Sequence, residues 1–147
     1  HFYIEHNRGH HVRVSTPEDP ASSRFGESFY EFLPRTVAGS LKSAWHLEAT
    51  RIKRQGKSPL TLKNDIINAW ALSIVLWAVL LIAFGWAILP YLIIQAIFGF
   101  SLLEVVNYIE HYGLLRQKKD DGRYERCQPS HSWNANLVAS NLFLYHL

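Results

Sequence analysis

The chain has 147 residues and carries 15 Lys and Arg against 12 Asp and Glu, a net charge of +3 that is too modest to mark a nucleic-acid partner. Its single cysteine, Cys127, excludes an intrachain disulfide and a zinc site held by several thiolates, and points to a reducing environment. Methionine is absent and the last residues, Tyr145-His146-Leu147, fall inside an apolar periodic stretch, so the chain is expected to be an internal piece of a longer protein.

The first element holds the densest chemistry. Residues 5–11 read EHNRGHH and place three imidazoles within six residues. At α-helical spacing His6 and His10 lie one turn apart on one face and can grip one metal, whereas His11 points roughly 100° away and can reach a second. Neutral imidazole suits iron, zinc, copper or nickel, so the cluster predicts a metal site but not the metal. Interruption by Arg8 and Gly9 argues against a tag or a plain surface histidine run. Residues 12–34, with Pro17, Pro20, Gly26 and Pro34, are predicted to be a polar connection ordered by packing on the cytosolic part. Residues 35–54 follow with an approximate apolar stripe of Val37, Leu41, Ala44, Trp45 and Ile52. They predict an amphipathic helix at the membrane interface, its Lys and Arg near headgroups and its His46 an ordinary interfacial histidine.

Residues 66–89 read IINAWALSIVLWAVLLIAFGWAIL without a charge. At a rise of about 1.5 Å per residue they cover roughly 36 Å, enough to cross a ~30 Å hydrocarbon core with some tilt. Pro90 is expected to break this span, and a second apolar run covers residues 91–112. The two predict a tight transmembrane helical hairpin. Basic residues flank its outer ends, with Lys42, Arg51, Lys53, Arg54, Lys57 and Lys63 before it and Arg116, Lys118, Lys119, Arg123 and Arg126 after it, so both ends should face the cytoplasm. Trp70, Trp86, Tyr91 and Tyr112 fall near the interface levels; Trp77 sits mid-span.

The second span carries polar groups that a lipid-facing helix would not. Glu104, Asn107 or Tyr108, and His111 follow the spacing of one helical face, and Glu110 adjoins them. Ionisable groups inside a span are costly and normally face a protein interior or a site. Position at the headgroups would explain Glu110 and His111, but not Glu104, roughly 10 Å deeper at helical rise. Two crossings separate His111 from His6, His10 and His11, an even number, so all four imidazoles return to one membrane side and a joint site becomes possible. Residues 116–132 form a charged loop with a turn signal at Asp120-Asp121-Gly122, and from Trp133 the spacing of Leu137, Val138, Leu142, Leu144 and Tyr145 predicts another helix. The layout is therefore all-α and integral to a membrane: a histidine-bearing cytosolic or interfacial region (1–65), a transmembrane hairpin (66–89 and 91–112), and a cytosolic loop and helix (113–147).

EHNRGHH at Glu5–His11 and NYIEHYGL at Asn107–Leu114 closely resemble the integral-membrane alkane 1-monooxygenases, members of the histidine-box di-iron oxygenases that also include fatty-acid desaturases and xylene monooxygenase. The resemblance extends to STPEDP at Ser15–Pro20, SFYEFLPR at Ser28–Arg35 and SAWHLE at Ser43–Glu48. NYIEHYGL is the narrower signature, since loosely spaced histidine boxes are shared widely by desaturases. The family carries two further histidine boxes, one that would precede His1 and one that would follow Leu147. The resemblance implies two non-haem iron ions, with His6, His10, His11 and His111 as the ligands on this chain. Glu5, Glu104, Asn107, Glu110 and His131 are candidates for orienting those ligands, Glu104 favoured over Glu5; His1 and His146 are left without a role.

It also implies hydroxylation of the terminal methyl of an n-alkane with O₂ and two electrons from reduced rubredoxin, itself served by an NAD(P)H-dependent reductase. The setting would be a bacterial inner membrane with the metal site on its cytoplasmic side, with membrane lipid as a further partner and no nucleic acid. The isolated piece should not turn over. A hydroxylase or desaturase of the same chemistry acting on xylene or fatty-acyl substrates, and a non-enzymatic membrane metal-binding or transport protein, are the competing readings.

Overall fold

The computed structural model describes residues 1–133, and the helix expected beyond Trp133 lies outside them. The described part is helical, its only β pairing a single bridge between Lys118 and Tyr124. It opens with α1 (Phe2–Glu5), which runs without a break into a π-helical segment (His6–His10) and then α2 (His11–Arg13). Three long helices follow: α3 (Phe29–Arg54), α4 (Asp65–Phe84) and α5 (Leu89–Glu110), the last two joined by a 3₁₀ turn (Trp86–Ile88).

α3 begins six residues earlier than its apolar stripe predicts, because Ser28 and Glu31 form a reciprocal capping box that satisfies the first orphan N–H groups. The expected connection therefore ends at Ser28, and Pro34 lies inside the helix, near enough to its start that only one internal hydrogen bond is lost. The buried face also differs from the expected stripe. It is Phe32, Thr36, Ser40, Ala44, Glu48 and Ile52, one residue every four. Spacing of four advances the face by about 40° per step, so the buried line winds around α3 and meets several neighbours in turn. α1 packs on the helix at Ala44, where Ile4, Ala44 and Ile66 form a small apolar core flanked by Trp45 and Leu47.

α4 is capped by Asn64, whose Oδ1 accepts from the N–H groups of Ile66 and Ile67. It ends at Gly85, not at Pro90. Gly85 takes φ 77°, a left-handed conformation that any side chain would disfavour, while Pro90 sits in the first turn of α5, where its missing N–H costs nothing. α4 has 20 residues, and Trp86–Glu110 supplies 25 of similar apolarity. Each is long enough for a ~30 Å hydrocarbon core. Their side chains are outward-facing: Leu72, Ile74, Ile82, Ile94 and Phe98 are all more than 60% exposed. An apolar surface of that extent is what membrane-crossing helices present, and both helices are long and apolar enough to cross one. The hairpin is not tight, however. α3 touches both helices, whereas α4 and α5 meet chiefly at the Trp86–Ile88 turn.

The connection between α2 and α3 is fixed by polar contacts. Arg35 of α3 gathers it from one side, donating to Glu27 Oε1 (2.6 Å) and to the carbonyls of Pro20 and Ser22 (3.0 Å each). The end of α5 holds the other side: Ser23 Oγ donates to the Tyr108 carbonyl (2.6 Å), and Tyr108 donates its hydroxyl proton to the Glu27 carbonyl (2.6 Å). Ser15, Thr16, Asp19, Ala21, Ser22 and Ser23 are buried as a result.

Candidate metal centre

The π-helical segment decides which histidines meet. In a π turn the N–H of His11 reaches the carbonyl of His6, five residues back, so residues five apart are stacked one above the other. His6 and His11 are such a pair, and their Nε2 atoms lie 3.1 Å apart. The α-helical expectation, with His6 and His10 gripping one ion and His11 pointing elsewhere, is thus corrected by one residue. The 3.6-residue period behind it does not apply to this segment. His6 and His10 instead stack ring on ring at 5.4 Å, and Phe2 covers the other face of His6 at 5.3 Å. Gly9 faces the Glu5 carboxyl group on the inner side of the segment. A Cβ there would lie 2.5 Å from the Glu5 carboxyl carbon.

His111 comes to the same place. It follows α5, is 1% exposed, and its ring centroid lies 4.9 Å from that of His10, itself 3% exposed. The four imidazoles expected on one membrane side are therefore contiguous: His111 on His10, and His10 on His6 and His11 at 5.4 and 5.8 Å.

Both buried rings have one nitrogen committed. His10 Nδ1 lies 2.8 Å from Asp19 Oδ2, and His111 Nδ1 is 3.3 Å from the His131 carbonyl. A carboxylate and a carbonyl are acceptors, so each ring carries its proton on Nδ1 and presents the Nε2 lone pair. Asp19 is 2% exposed and held by three donors, adding Ser22 Oγ at 2.5 Å and the Ala21 N–H at 3.2 Å. Burial alone would raise its pKa, but the hydrogen bonds from His10, Ser22 and the Ala21 N–H outweigh burial and hold the carboxyl below its usual range. Asp19 was not singled out from the sequence. An acid between two prolines in a polar stretch reads as a solvated loop residue, and only the clamping of residues 15–27 by α3 and α5 brings it to His10.

The candidates for orienting the ligands are distributed as follows. His131 acts through its carbonyl, which accepts from Ser15 Oγ (2.9 Å) as well as facing His111; its ring is turned to Glu125 (3.1 Å) and the Gln128 N–H (2.9 Å). Ser15 keeps φ 56°, strained for a residue with a side chain. Glu110 accepts from Ser132 Oγ at 2.8 Å and comes to 4.0 Å from His111 Nε2. Glu104 is buried against α3, accepting from Thr36 Oγ1 (3.0 Å) and Asn107 Nδ2 (3.4 Å). Glu5 pairs with Arg13 (2.7 Å), while its buried Oε2 has no hydrogen-bond partner among the described residues and burial raises its pKa. Of these five, His131 and Glu110 come up to His111, and Glu104 lies within electrostatic reach of His10. His46 is exposed on α3.

Among the described residues no three His, Cys, Asp or Glu donors converge on one point. The donor chemistry nevertheless fits a histidine-held ion. Two cis positions on an ion with ~2.1 Å metal–nitrogen bonds are about 3 Å apart, the separation of His6 and His11 Nε2. The Nδ1–H to acceptor contacts of His10 and His111 are the usual outer support of metal-bound imidazole.

The chain is 55% identical over 147 residues to an alkane 1-monooxygenase of Acinetobacter baylyi, covering all of this chain and 36% of that protein. It is 54% identical over 147 residues to alkane 1-monooxygenase 1 of Alcanivorax borkumensis, again covering all of the chain and 36% of the relative. Similarity to the xylene/toluene monooxygenase hydroxylase component XylM of Pseudomonas putida is lower, 31% over 134 residues, 89% of this chain and 34% of that protein. The chain thus spans little more than a third of the length of these curated relatives. A model of the family described as fatty acid desaturase matches residues 1–147, and the chain belongs to that family.

Proposed function

We propose that the protein containing this chain is a membrane-bound di-iron alkane 1-monooxygenase, which converts the terminal methyl of an n-alkane to a primary alcohol with O₂ and electrons from reduced rubredoxin. The observation that carries this reading is identity of 50% or more to several alkane 1-monooxygenases along the full 147 residues, against 31% to the xylene/toluene enzyme. It is supported by the meeting of His10 with His111 across two membrane helices. Iron bound there would supply the activation of O₂ that an unactivated C–H bond requires, since no side chain is a strong enough oxidant.

The chain's own residues contribute holding and exclusion. His6, His10, His11 and His111 would hold iron through Nε2, with further ligands from the rest of the protein. Asp19 and the His131 carbonyl fix the tautomer and orientation of His10 and His111. The uncharged lengths of α4 and α5 give an alkane an apolar approach from the bilayer. Buried Glu104 and Asn107 end that apolar zone just below His111. The histidine group would face the cytoplasm, where a soluble electron donor can reach it.

The test is a product assay with the full-length iron-loaded protein on octane, hexadecane, xylene and a fatty-acyl substrate under ¹⁸O₂. The reading predicts a primary alkanol carrying one labelled oxygen. A labelled aryl alcohol or a double bond as the main product would assign it to the neighbouring branches of the family. Reversible zinc or copper binding with no O₂-dependent product would make it a metal-binding protein.

A further inference from the structure

Most cations beside the histidine group have a partner. Arg8, Arg13, Arg35 and Arg51 each pair with a carboxylate, and Arg116 donates to the carbonyls of Val12, Val14 and Glu125. Between the end of α3 and the start of α4 the opposite holds. Lys53, Arg54, Lys57 and Lys63 are all exposed, and none of them pairs with a carboxylate among the described residues. The nearest acids, Glu48 and Asp65, are both taken by Arg51. Lys57 and Lys63 bracket this turn, and the neighbouring Lys63 amine holds Lys57 below the usual lysine range. Two like charges side by side are unfavourable unless an anion lies between them.

The same turn holds two leucines outward. Leu60 is 76% and Leu62 71% exposed, both between the two lysines and only a few residues before α4 begins at Asp65. Cations alone would suit any polyanion. Cations interleaved with projecting leucines, at the mouth of a membrane-length apolar helix, match a surface that is anionic outside and hydrocarbon within. A soluble acidic protein would leave those leucines unexplained.

We propose that the turn spanning residues 53–63 is a binding site for the headgroup of an anionic phospholipid, its phosphate between Lys57 and Lys63 and its acyl chains against Leu60 and Leu62. Lys53 and Arg54, on the last turn of α3, complete the positive rim. The inference rests on α4 crossing the bilayer. Failure of that premise would show separately, as full-length protein that stays soluble without detergent.

The experiment is native mass spectrometry of the full-length protein in neutral detergent, titrated with phosphatidylglycerol, phosphatidylcholine, glycerol phosphate or an acidic peptide. The expected result is retention of phosphatidylglycerol over phosphatidylcholine, with glycerol phosphate and the peptide failing to displace it. In K57A/K63A the phosphatidylglycerol affinity should fall roughly 25-fold, from about fivefold for each cation near the surface. Equal loss in K118A/K119A would mean diffuse attraction and would overturn the site. So would equal retention of the two lipids, or displacement by glycerol phosphate or by the peptide. A measurement free of variants covers the case in which K57A/K63A fails to fold. Amine acetylation of wild-type protein in nanodiscs should be several-fold slower at Lys57 and Lys63 when phosphatidylglycerol is present, with Lys118 unchanged. Unchanged labelling at all three would also overturn it.

Discussion

At the scale of single residues, Asp19 is the side chain whose chemistry reaches furthest. It fixes the Nδ1 proton of His10, and a network of Ser22, Ala21 and Arg35 contacts keeps it in place. Asn at this position keeps the volume and can still accept one hydrogen bond, but it removes the charge. D19N in the full-length protein should lower iron affinity by about 10–100-fold, the usual effect of losing an outer partner of a metal-bound imidazole. Iron content after dialysis against graded chelator measures it, and unchanged retention would show that Asp19 serves packing alone. His131 makes the contrasting case, because it supports His111 by its main chain. Replacement of its ring should disturb the Glu125 and Gln128 contacts while leaving the acceptor for His111.

At the scale of elements, the junction of the histidine segment with α3 and α4 turns on Glu48. This carboxylate is fully buried, takes the guanidinium of Arg51 and the backbone N–H of Asp65 (2.9 Å), and lies 3.6 Å from Arg8, which stands between His6 and His10. One acid thus ties the π-helical segment, the middle of α3 and the start of α4. E48A should cost about 1–3 kcal/mol, the usual penalty for stranding buried donors, read as a lower midpoint of unfolding in detergent. The bond from Arg51, stronger than the opposing effect of burial, holds Glu48 below its ordinary 4.5. Its contribution is therefore complete above that value and is lost as pH falls through the lower folded one. Acidification from about 6 to about 3.5 should reduce the midpoint more in wild type than in E48Q; parallel curves would exclude this role.

These elements also show what the sequence discloses and what it withholds. The two successive apolar helices are legible because long runs with hardly a charge leave little freedom. The partner of His6 is not, since a π turn substitutes a five-residue repeat for the assumed α period and leaves no mark beyond Gly9. Nor is the buried face of α3 legible. Thr36, Ser40 and Glu48 read as solvated until Glu104 and Arg51 come to meet them. Pro90 was expected to end the first span, but the chain uses Gly85, inside that expected span, to stop one helix and the proline to start the next.

At the scale of the whole molecule, a joint metal centre requires both ends of the hairpin to lie on one side of the membrane. After Cys127 is replaced by Ala, single cysteines at residues 57, 86 and 123 report this directly. A membrane-impermeant maleimide should label 57 and 123 from the cytoplasmic side and 86 from the opposite side. Labelling of 57 and 123 from different sides would separate His10 from His111 and dismantle the joint site. The splayed arrangement of α4 and α5 is consistent with a chain that spans little more than a third of its relatives, whose remaining length can supply packing partners and the further ligands.

The central claim is that His111, a hundred residues from His10 in sequence, shares a metal centre with it. The most direct measurement is iron content together with octane turnover in full-length H111A, purified beside wild type under identical loading. Loss of hydroxylation accompanied by a fall in bound iron is the predicted result. Wild-type turnover with the full complement of iron would contradict it.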